Sequence, residues 1–170
     1  MFSSLTKLSL PFPPLNLKVG LQQSRMKDWD RHTRDQVTPF SKIWLGMRIG
    51  GQTNVIVIDK QVSSLYSLIA DGKYRNTSLG CDMWKTLIGS QASLQPNCNL
   101  EGFNAKEGSP CKSRIGILGN DEKQCDSSNS RIGFGSAGSP DESNTSGNVA
   151  GWNGDNGQKK IKTMGYCLVQ

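Results

Sequence analysis

From Thr38 the apolar pattern changes, and Ile43, Leu45, Met47 and Ile49 recur at every second position, which is a spacing typical of β-strands. One extended segment runs from Phe40 and ends at Gly50-Gly51. The β-branched run Val55–Ile58 predicts a buried strand. Because a glycine pair between two apolar segments is typical of a hairpin, the sequence predicts one here, with residues 52–54 in the turn region.

The next apolar cluster is ambiguous. Leu65, Leu68 and Ile69 fit either a strand or one helical turn, and their spacing does not decide between the two. The Asp71-Gly72 pair that follows indicates a turn.

A short helix is predicted over residues 82–88, because Met83, Trp84, Leu87 and Ile88 recur at helical spacing. Asp82 is a candidate N-cap, and Gly89 is a candidate stop. Residues 96–104 are polar and predict a loop around Cys98.

The C-terminal part is rich in glycine, since twelve of the nineteen glycines follow residue 100. The sequence Ser-Arg-Ile-Gly occurs at 113–116 and again at 130–133, and each copy predicts a brief strand. Residues 136–160 are nearly all small or polar and predict a long polar loop before a terminal strand. Such short strands cannot bury an apolar face alone, so we predict that both copies and the terminal strand share one core. The residues predicted for that core are Ile115, Ile117, Ile132, Phe134, Tyr166 and Leu168.

Residues 1–37 lack apolar periodicity and contain several prolines and charges. We predict a poorly ordered lead-in that does not pack into the domain core. No signal peptide is visible there, because Pro11, Pro13 and Pro14 interrupt the apolar residues that its central region requires.

Length and charge narrow the function classes. The 170 residues suit one domain with a core of its own. The net charge of +6 is spread without any block of five like charges, so no nucleic-acid-binding tail is expected. Weak attraction to polyanions remains an alternative to an ordinary solvated surface. No apolar run approaches the ~18 residues of a membrane span.

The cysteines and glycosylation sequons favour a secreted glycoprotein. No two of the five cysteines have C-x-x-C spacing, and only one histidine is present, so a zinc site is not expected. An odd cysteine count leaves at least one thiol outside any disulfide. Sequons begin at Asn76 and Asn144. Several cysteines, two sequons and many loops together indicate an extracellular setting.

No catalytic constellation is found, so we do not expect an enzyme. His32 is the sole histidine and lies in the lead-in, and the G-x-G-x-x-G run at 133–138 is not followed by a helical pattern. A calcium site is the better candidate, because carboxylate and amide oxygens crowd one glycine-rich stretch. Polar turn residues without a ligand are the alternative. The candidate calcium ligands are Asp141, Glu142, Asn144, Asn148, Asp155 and Asn156.

Several runs also resemble a known family, namely residues 40–43, 64–75, 84–90, 131–135 and 164–166. Together they resemble cnidarian secreted proteins with fibrinogen-related, intelectin-like domains, some of which are described as skeletal organic matrix proteins. The resemblance covers residues 38–170 and not the lead-in. It implies an α+β fold that is β-rich, with irregular glycine-rich loops, and that lacks the first half of the family's domain. It also implies that calcium bound near residues 139–156 supports ligand binding.

The cysteines depart from this family. The relatives have cysteines where this chain has Trp44, Ser128 and Ser146, so the family's disulfide framework is not intact. Cys98 and Cys125 match the family and are therefore the disulfide candidates that the resemblance implies. The additional cysteines are Cys81, Cys111 and Cys167.

The function expected from the resemblance is an extracellular recognition module that binds a glycan or a matrix protein with the help of calcium. One alternative is a structural component of the extracellular matrix without a discrete ligand site. Another is a nonfunctional partial gene copy. The sequence does not identify the ligand or the oligomeric state.

Overall fold

The computed structural model describes residues 17–21, 39–106, 108 and 111–170, with the backbone alone for 17–21 and Cys98. The described residues form two antiparallel sheets, two short helices and one 3₁₀ turn. In chain order the elements are β1 (Leu17–Leu21), β2 (Phe40–Ile49), β3 (Gln52–Val62), α1 (Leu65–Ile69), β4 (Arg75–Asn76), α2 (Cys81–Thr86), the 3₁₀ turn (Gly89–Gln91), β5 (Asn97–Lys106), β6 (Lys112–Asn120), β7 (Ser130–Phe134), β8 (Ser146–Ala150), β9 (Lys159–Lys162) and β10 (Met164–Val169).

The six-stranded sheet is a meander, because strands β4 to β9 lie side by side in chain order. The four-stranded sheet has the order β1-β10-β2-β3. After β9 the chain therefore leaves the meander, and the last strand, β10, pairs with β2 near the start of the described domain. This crossover joins the two sheets, and the β-rich fold class predicted from the sequence is confirmed.

The apolar core contains side chains from both sheets and both helices. Strand β2 shows how the pattern produces it, since Ile43, Leu45 and Met47 alternate along the strand and are each fully buried. The largest fully buried side chain among the described residues is Trp84 on α2. Burial of this kind stabilises a fold by about 1.5–3 kcal/mol per large apolar side chain.

The hairpin predicted at Gly50-Gly51 is confirmed. Both glycines have positive φ angles, 54° and 87°, which a two-residue hairpin turn of this kind requires. Ile49 pairs directly with Gln52. Residues 52–54 therefore belong to β3, and their predicted place in the turn region is wrong.

The N-cap residues of the two helices define where each helix begins. Residues 65–69 form α1, and Ser64 Oγ accepts a hydrogen bond from Ser67 N at 3.0 Å, as a helix N-cap does. The helix predicted over 82–88 begins one residue earlier, at Cys81. Its N-cap is Gly80, so the predicted capping role of Asp82 is wrong.

The loop predicted over residues 96–104 is wrong, because these residues lie in and beside strand β5. The pairing between β5 and β6 shifts register between residues 97 and 100. That irregularity breaks the alternation by which a strand is recognised in a sequence. A polar residue, Glu101, also occupies a buried position of the strand.

The long polar loop predicted over residues 136–160 is also wrong, because it contains strand β8 and the start of β9. All five residues of β8 are buried. The strand lies between β7 and β9, and its small and polar side chains hide the periodicity of a strand.

The two Ser-Arg-Ile-Gly copies lie on neighbouring strands, as predicted. Gly116 pairs with Gly133, and Ile117 pairs with Ile132. The predicted residues of both copies belong to the core, but Tyr166 and Leu168 of β10 do not. Strand β10 instead directs Cys167 and Val169 inward, so the face predicted for the terminal strand is wrong by one residue.

Strand β1 lies within the predicted lead-in. Leu17–Leu21 pairs with β10 in antiparallel register, so at these five residues the expectation of a poorly ordered segment is corrected. The period-two pattern of Leu17, Val19 and Leu21 is short, and the prolines before it hide it. The rest of residues 1–37 lies outside the described residues. Across the part of the chain that is described, no helix is long and apolar enough to cross a membrane.

Candidate functional site

A loop at one end of the six-stranded sheet presents an exposed tryptophan. This loop, residues 151–157, follows strand β8 and is called the tryptophan loop below. The side chain of Trp152 is 73% exposed, whereas the other exposed large apolar side chains described are 40–45% exposed. An indole left in water forgoes the stabilisation of burial, about 1.5–3 kcal/mol. The ring therefore adds little to folding stability and is available for contact with a ligand.

The C-terminal half of the tryptophan loop is fixed to the segment that precedes β5. Asp155 N donates to Leu94 O, and Leu94 N donates to Asp155 Oδ1, each at 3.0 Å. Asp155 also forms an ion pair with Lys85 of α2. Partial burial raises the pKa of the Asp155 carboxyl, but the hydrogen bonds from Lys85 and Leu94 N outweigh it and hold this pKa below its usual range.

A second set of contacts fixes the same half through Ser93 and Asn156. Ser93 Oγ donates to Gly157 O at 2.7 Å and accepts from Asn156 N at 3.2 Å. The Asn156 amide donates to the carbonyls of Ser90 and Ala92 at 3.0 and 3.2 Å. The loop is therefore anchored by side chains and backbone together.

The N-terminal half of the tryptophan loop, which contains Trp152, is also held by hydrogen bonds. Gly151 N donates to Asn129 O at 3.0 Å, and Gln95 Nε2 donates to Trp152 O at 2.6 Å. Asn153 Nδ2 donates to Asp121 Oδ2 at 3.0 Å. The backbone on both sides of Trp152 is thus restrained while its side chain stays in solvent.

Polar groups accompany the indole. The hydrogen bond from Asn153 lowers the pKa of the Asp121 carboxyl, so this group is ionised at neutral pH. An ionised carboxylate accepts hydrogen bonds, and a primary amide both donates and accepts them. An apolar ring beside such groups suits a ligand with one apolar face and a rim of hydroxyl groups.

The six candidate calcium ligands fall into two groups. Asp141, Glu142 and Asn144 lie in or next to the turn before β8. Asn148 on β8 contacts Ser93, and Asp155 and Asn156 contact the segment around it. The structure brings the second three residues to one segment, and the two groups meet where Asn144 Nδ2 donates to Asn148 O at 3.4 Å.

Some oxygens of these residues are used by the protein itself. Asn148 Oδ1 accepts from Ser93 N at 2.8 Å, and Asp155 Oδ1 accepts from Leu94 N. Asp141 Oδ1 accepts from both the amide and the hydroxyl of Ser143. Calcium needs six to eight oxygens directed at one point. A calcium ion bound by these residues would have to replace those hydrogen bonds.

Two further observations bear on the metal. Within the described residues no group of three or more His, Cys, Asp or Glu side chains is placed to hold an ion. The buried amide oxygens without a hydrogen-bond partner there belong to Gln95, Asn120 and Asn129, none of which is among the six. Calcium binding by this chain stays a prediction, and no step below depends on it.

Arg131 is a structural centre that the sequence analysis did not select. It is 1% exposed, and its guanidinium donates to the backbone carbonyls of Ser139, Asp141 and Asn144 at 3.1, 2.5 and 3.3 Å. A buried arginine thereby fixes the turn that contains the first group of candidate ligands. Its place in the second Ser-Arg-Ile-Gly copy gave no signal of this role.

The two sequons differ in accessibility. Asn76 on β4 is exposed, and its Oδ1 accepts from the Tyr74 hydroxyl at 3.0 Å. Asn144 is 1% exposed, and its Nδ2 donates to Ile161 O at 2.9 Å. A glycan on Asn144 would have to replace that buried contact, so the folded chain favours glycosylation at Asn76 alone.

The cysteines differ in whether they take part in a disulfide. Cys125 takes part in a disulfide. The side chain of Cys98, its predicted partner, lies outside the described residues, so this pair stays a prediction. The topology agrees with it, because Asn97 pairs with Asn120, and Cys125 follows five residues later. Cys81, Cys111 and Cys167 carry thiols.

Trp152 itself was not selected from the sequence. The signal that could have found it is a single large aromatic residue in an otherwise small and polar stretch. The chain matches no protein-family model, no curated protein and no solved structure. The function is therefore inferred from the geometry of this loop and from the resemblance given above.

Proposed function

We propose that this chain is an extracellular recognition module that binds a glycan at the tryptophan loop. The observation that carries the proposal is the 73% exposed indole of Trp152 on a loop whose backbone is held at Gly151, at the Trp152 carbonyl and at Asp155. The predicted fibrinogen-related, intelectin-like character and the extracellular location belong to the same proposal. No enzymatic activity is part of it.

A rigid exposed indole suits a sugar ring for a physical reason. One face of a pyranose presents C–H groups, which pack on an aromatic face and release water from both surfaces. Tryptophan combines a large contact area with few rotatable bonds, so binding restricts little conformational freedom. The hydrogen bond from Gln95 to the Trp152 carbonyl and the backbone bonds at Gly151 and Asp155 have already ordered the backbone, which lowers the cost of binding further.

The polar neighbours would supply direction. Asn153 follows Trp152 in the sequence, and its amide donates a hydrogen bond to the Asp121 carboxylate. Hydroxyl groups at the rim of a sugar would donate to the carboxylate and bond with either atom of the amide. One stacking residue and a few such bonds are consistent with a weak site that gains strength when several ligands are presented together.

The test is a glycan-array screen followed by calorimetric titration of the best ligand. We expect Trp152→Ala to lower the affinity at least tenfold, since removal of a central tryptophan commonly costs 2 kcal/mol or more, about a 30-fold change. The matched control is Met164→Ala, which removes another exposed apolar side chain from β10 in the other sheet. The control should bind as the unmodified chain does.

Calcium and the alternatives are outcomes of the same test. Binding that requires millimolar calcium and is lost on chelation would support the predicted metal dependence. A folded chain that binds no glycan on the array would contradict the proposal and favour a structural matrix component. Failure of the purified chain to show a cooperative unfolding transition would favour a nonfunctional partial copy.

A further inference from the structure

A second site lies on the outer face of the β5–β6 pair. A surface cavity of about 240 Å³ is lined there by Gly72, Asn104, Lys106, Lys112 and Arg114. We call it the basic pocket. Three of its five lining residues are cationic, and none of these five is acidic.

Strand register explains why these side chains meet. Lys106 pairs directly with Lys112 across the two antiparallel strands. Since successive side chains alternate between faces, Asn104 and Arg114 lie two positions further along on the same face. Arg114 Nη1 donates to Asn104 Oδ1 at 2.7 Å, which confirms that the two are neighbours.

The opposite face of the same strands is core. Phe103, Ala105, Ser113 and Ile115 alternate with the pocket residues and are fully buried. A change of register would therefore expose the core. The folding of the hairpin fixes the two lysines beside each other whether or not their charges favour it.

Two like charges directly opposite each other destabilise a sheet. Neither Lys106 nor Lys112 takes part in any of the three ion pairs formed by the described residues. The nearest carboxylate on the adjoining turn, Asp71, is held by two hydrogen bonds of 2.8 Å from Arg75. These bonds keep the pKa of Asp71 well below its usual range. The arrangement is explained if an anion is bound between the lysines.

The pocket is also rigid at its base. Asn104 Nδ2 donates to the carbonyls of Ile69 and Lys73 at 2.9 and 3.1 Å, and Arg114 Nη1 donates to Ile69 O at 3.1 Å. These bonds fix the turn that contains Gly72. Gly72 has φ +70°, and a Cβ there would meet nothing within 4 Å, so this wall is low and open.

We propose that the basic pocket binds the sulfate groups of an acidic polysaccharide. Lysine ammonium groups on a fixed backbone bind tetrahedral oxyanions through charge-assisted hydrogen bonds. The pocket opens to solvent, so one group of a long polymer can enter while its neighbours follow the protein surface. The polymer is taken to be a glycan from the proposed function, but the site is separate from the tryptophan loop.

The test is calorimetric titration of the intact chain with a heparin-derived hexasaccharide, its desulfated counterpart and inorganic phosphate. We expect the sulfated sugar to bind and the desulfated sugar to bind at least tenfold more weakly. The double variant Lys106→Gln/Lys112→Gln should lose at least tenfold in affinity for the sulfated sugar. The matched control, Lys159→Gln/Lys160→Gln on β9, removes the same charge elsewhere and should lose less than threefold.

Further variants keep the result interpretable. The Lys106→Gln/Lys112→Gln variant removes a repulsive pair of charges, so its melting temperature should not fall. The Lys106→Arg/Lys112→Arg variant keeps both charges and should retain binding of the sulfated sugar. Trp152→Ala should leave this binding unchanged, which separates the basic pocket from the tryptophan loop. Equal losses in the two glutamine variants would overturn the proposal, because binding would then follow net charge alone. Binding of phosphate as tight as that of the sulfated sugar would overturn the assignment to a polysaccharide.

Discussion

At the scale of single residues, a buried carboxylate organises the segment between the two sheets. Glu101 is 9% exposed and accepts four hydrogen bonds, from Thr77 Oγ1, Leu79 N, Gly80 N and Trp84 Nε1 at 2.8–3.0 Å. It therefore fixes the start of α2 and the largest side chain of the core. A polar residue that satisfies four donors is a structural element in its own right.

The substitution Glu101→Gln tests this role. A glutamine amide has one acceptor oxygen, so at least one buried donor loses its partner and faces an N–H group. Because hydrogen bonds to charged groups contribute about 1.5–3 kcal/mol, we expect the free energy of unfolding to fall by that amount. Urea denaturation measures it, with Glu142→Gln on an exposed site as the control. A loss below 0.5 kcal/mol, which is roughly the effect of an ordinary surface change, would contradict the role.

The thiol of Cys167 is predicted to be unreactive in the folded chain. Complete burial raises its pKa to about 12 from a reference value of 9.0. The thiolate is the reactive form, so a thiol-specific reagent at pH 8 should label Cys167 only after denaturation. The half-buried Cys81 should be labelled in the native state, and peptide mapping by mass spectrometry distinguishes the two.

The same shift makes stability depend on pH. The unfolded chain ionises this thiol near pH 9, whereas the folded chain does not until about pH 12. The contribution of Cys167 is therefore fully present below pH 9 and decreases as pH rises toward 12. Native labelling of Cys167 at pH 8 as fast as that of Cys81 would show that β10 does not pack as described.

At the scale of elements, the glycines of the repeated Ser-Arg-Ile-Gly sequence are explained by the close approach of the neighbouring strands β6 and β7, where Gly116 pairs with Gly133. A Cβ on Gly133 would lie 2.3 Å from Ser113 Oγ and 2.7 Å from Ile115 O. A Cβ on Gly116 would lie 2.5 Å from Ile132 O. The glycines leave room for the Ser113 hydroxyl, which bonds to Ile115 O and Phe134 O at 3.0 and 3.2 Å.

The substitution Gly133→Ala should therefore destabilise the chain by about 1–3 kcal/mol, the usual cost of overpacking. The backbone oxygen of Ile115 cannot move aside without disturbing the sheet. The control is Gly46→Ala in β2, where an added Cβ would meet no atom closer than 3.4 Å. Thermal unfolding of both variants measures the difference, and equal melting temperatures would contradict the explanation.

The tryptophan loop should loosen in acid. Asp155 has a lowered pKa, so its contribution is present above its unfolded value of about 3.8 and is lost as pH falls through the folded value. We expect the amide proton of Leu94 to lose protection from hydrogen exchange below about pH 4. In Asp155→Asn this pH dependence should disappear. Protection in the unmodified chain that is independent of pH down to the onset of global acid unfolding would show that the carboxylate does not hold the loop.

The elements also show what the sequence could predict. The Gly50-Gly51 hairpin and the pairing of the two repeats follow from local signals, namely glycine pairs and β-branched runs. Strands β5 and β8 were missed because their buried positions hold Glu101, Asn148 and small residues. Such positions are stable only through hydrogen bonds to distant segments, and a local pattern cannot show those partners.

At the scale of the whole molecule, the last strand determines which sites exist. Because β10 joins β2, the core closes between two sheets, and the tryptophan loop at one end of the six-stranded sheet leaves its indole in solvent. The calcium ligands predicted from the sequence lie in the same glycine-rich stretch as the tryptophan loop. That prediction selects the oxygen-bearing residues, of which Asn148, Asp155 and Asn156 anchor the loop in the structure, whereas Trp152 is left exposed.

The central claim is that ligand binding takes place on the Trp152 indole. The most direct measurement is fluorine NMR of the chain labelled with 5-fluorotryptophan, with the Trp152 signal assigned by Trp152→Phe and followed during titration with the best glycan from the array. We predict that the Trp152 resonance shifts in a saturable manner while the resonance of the buried Trp84 stays in place. A saturated complex in which the Trp152 resonance does not move would contradict the account.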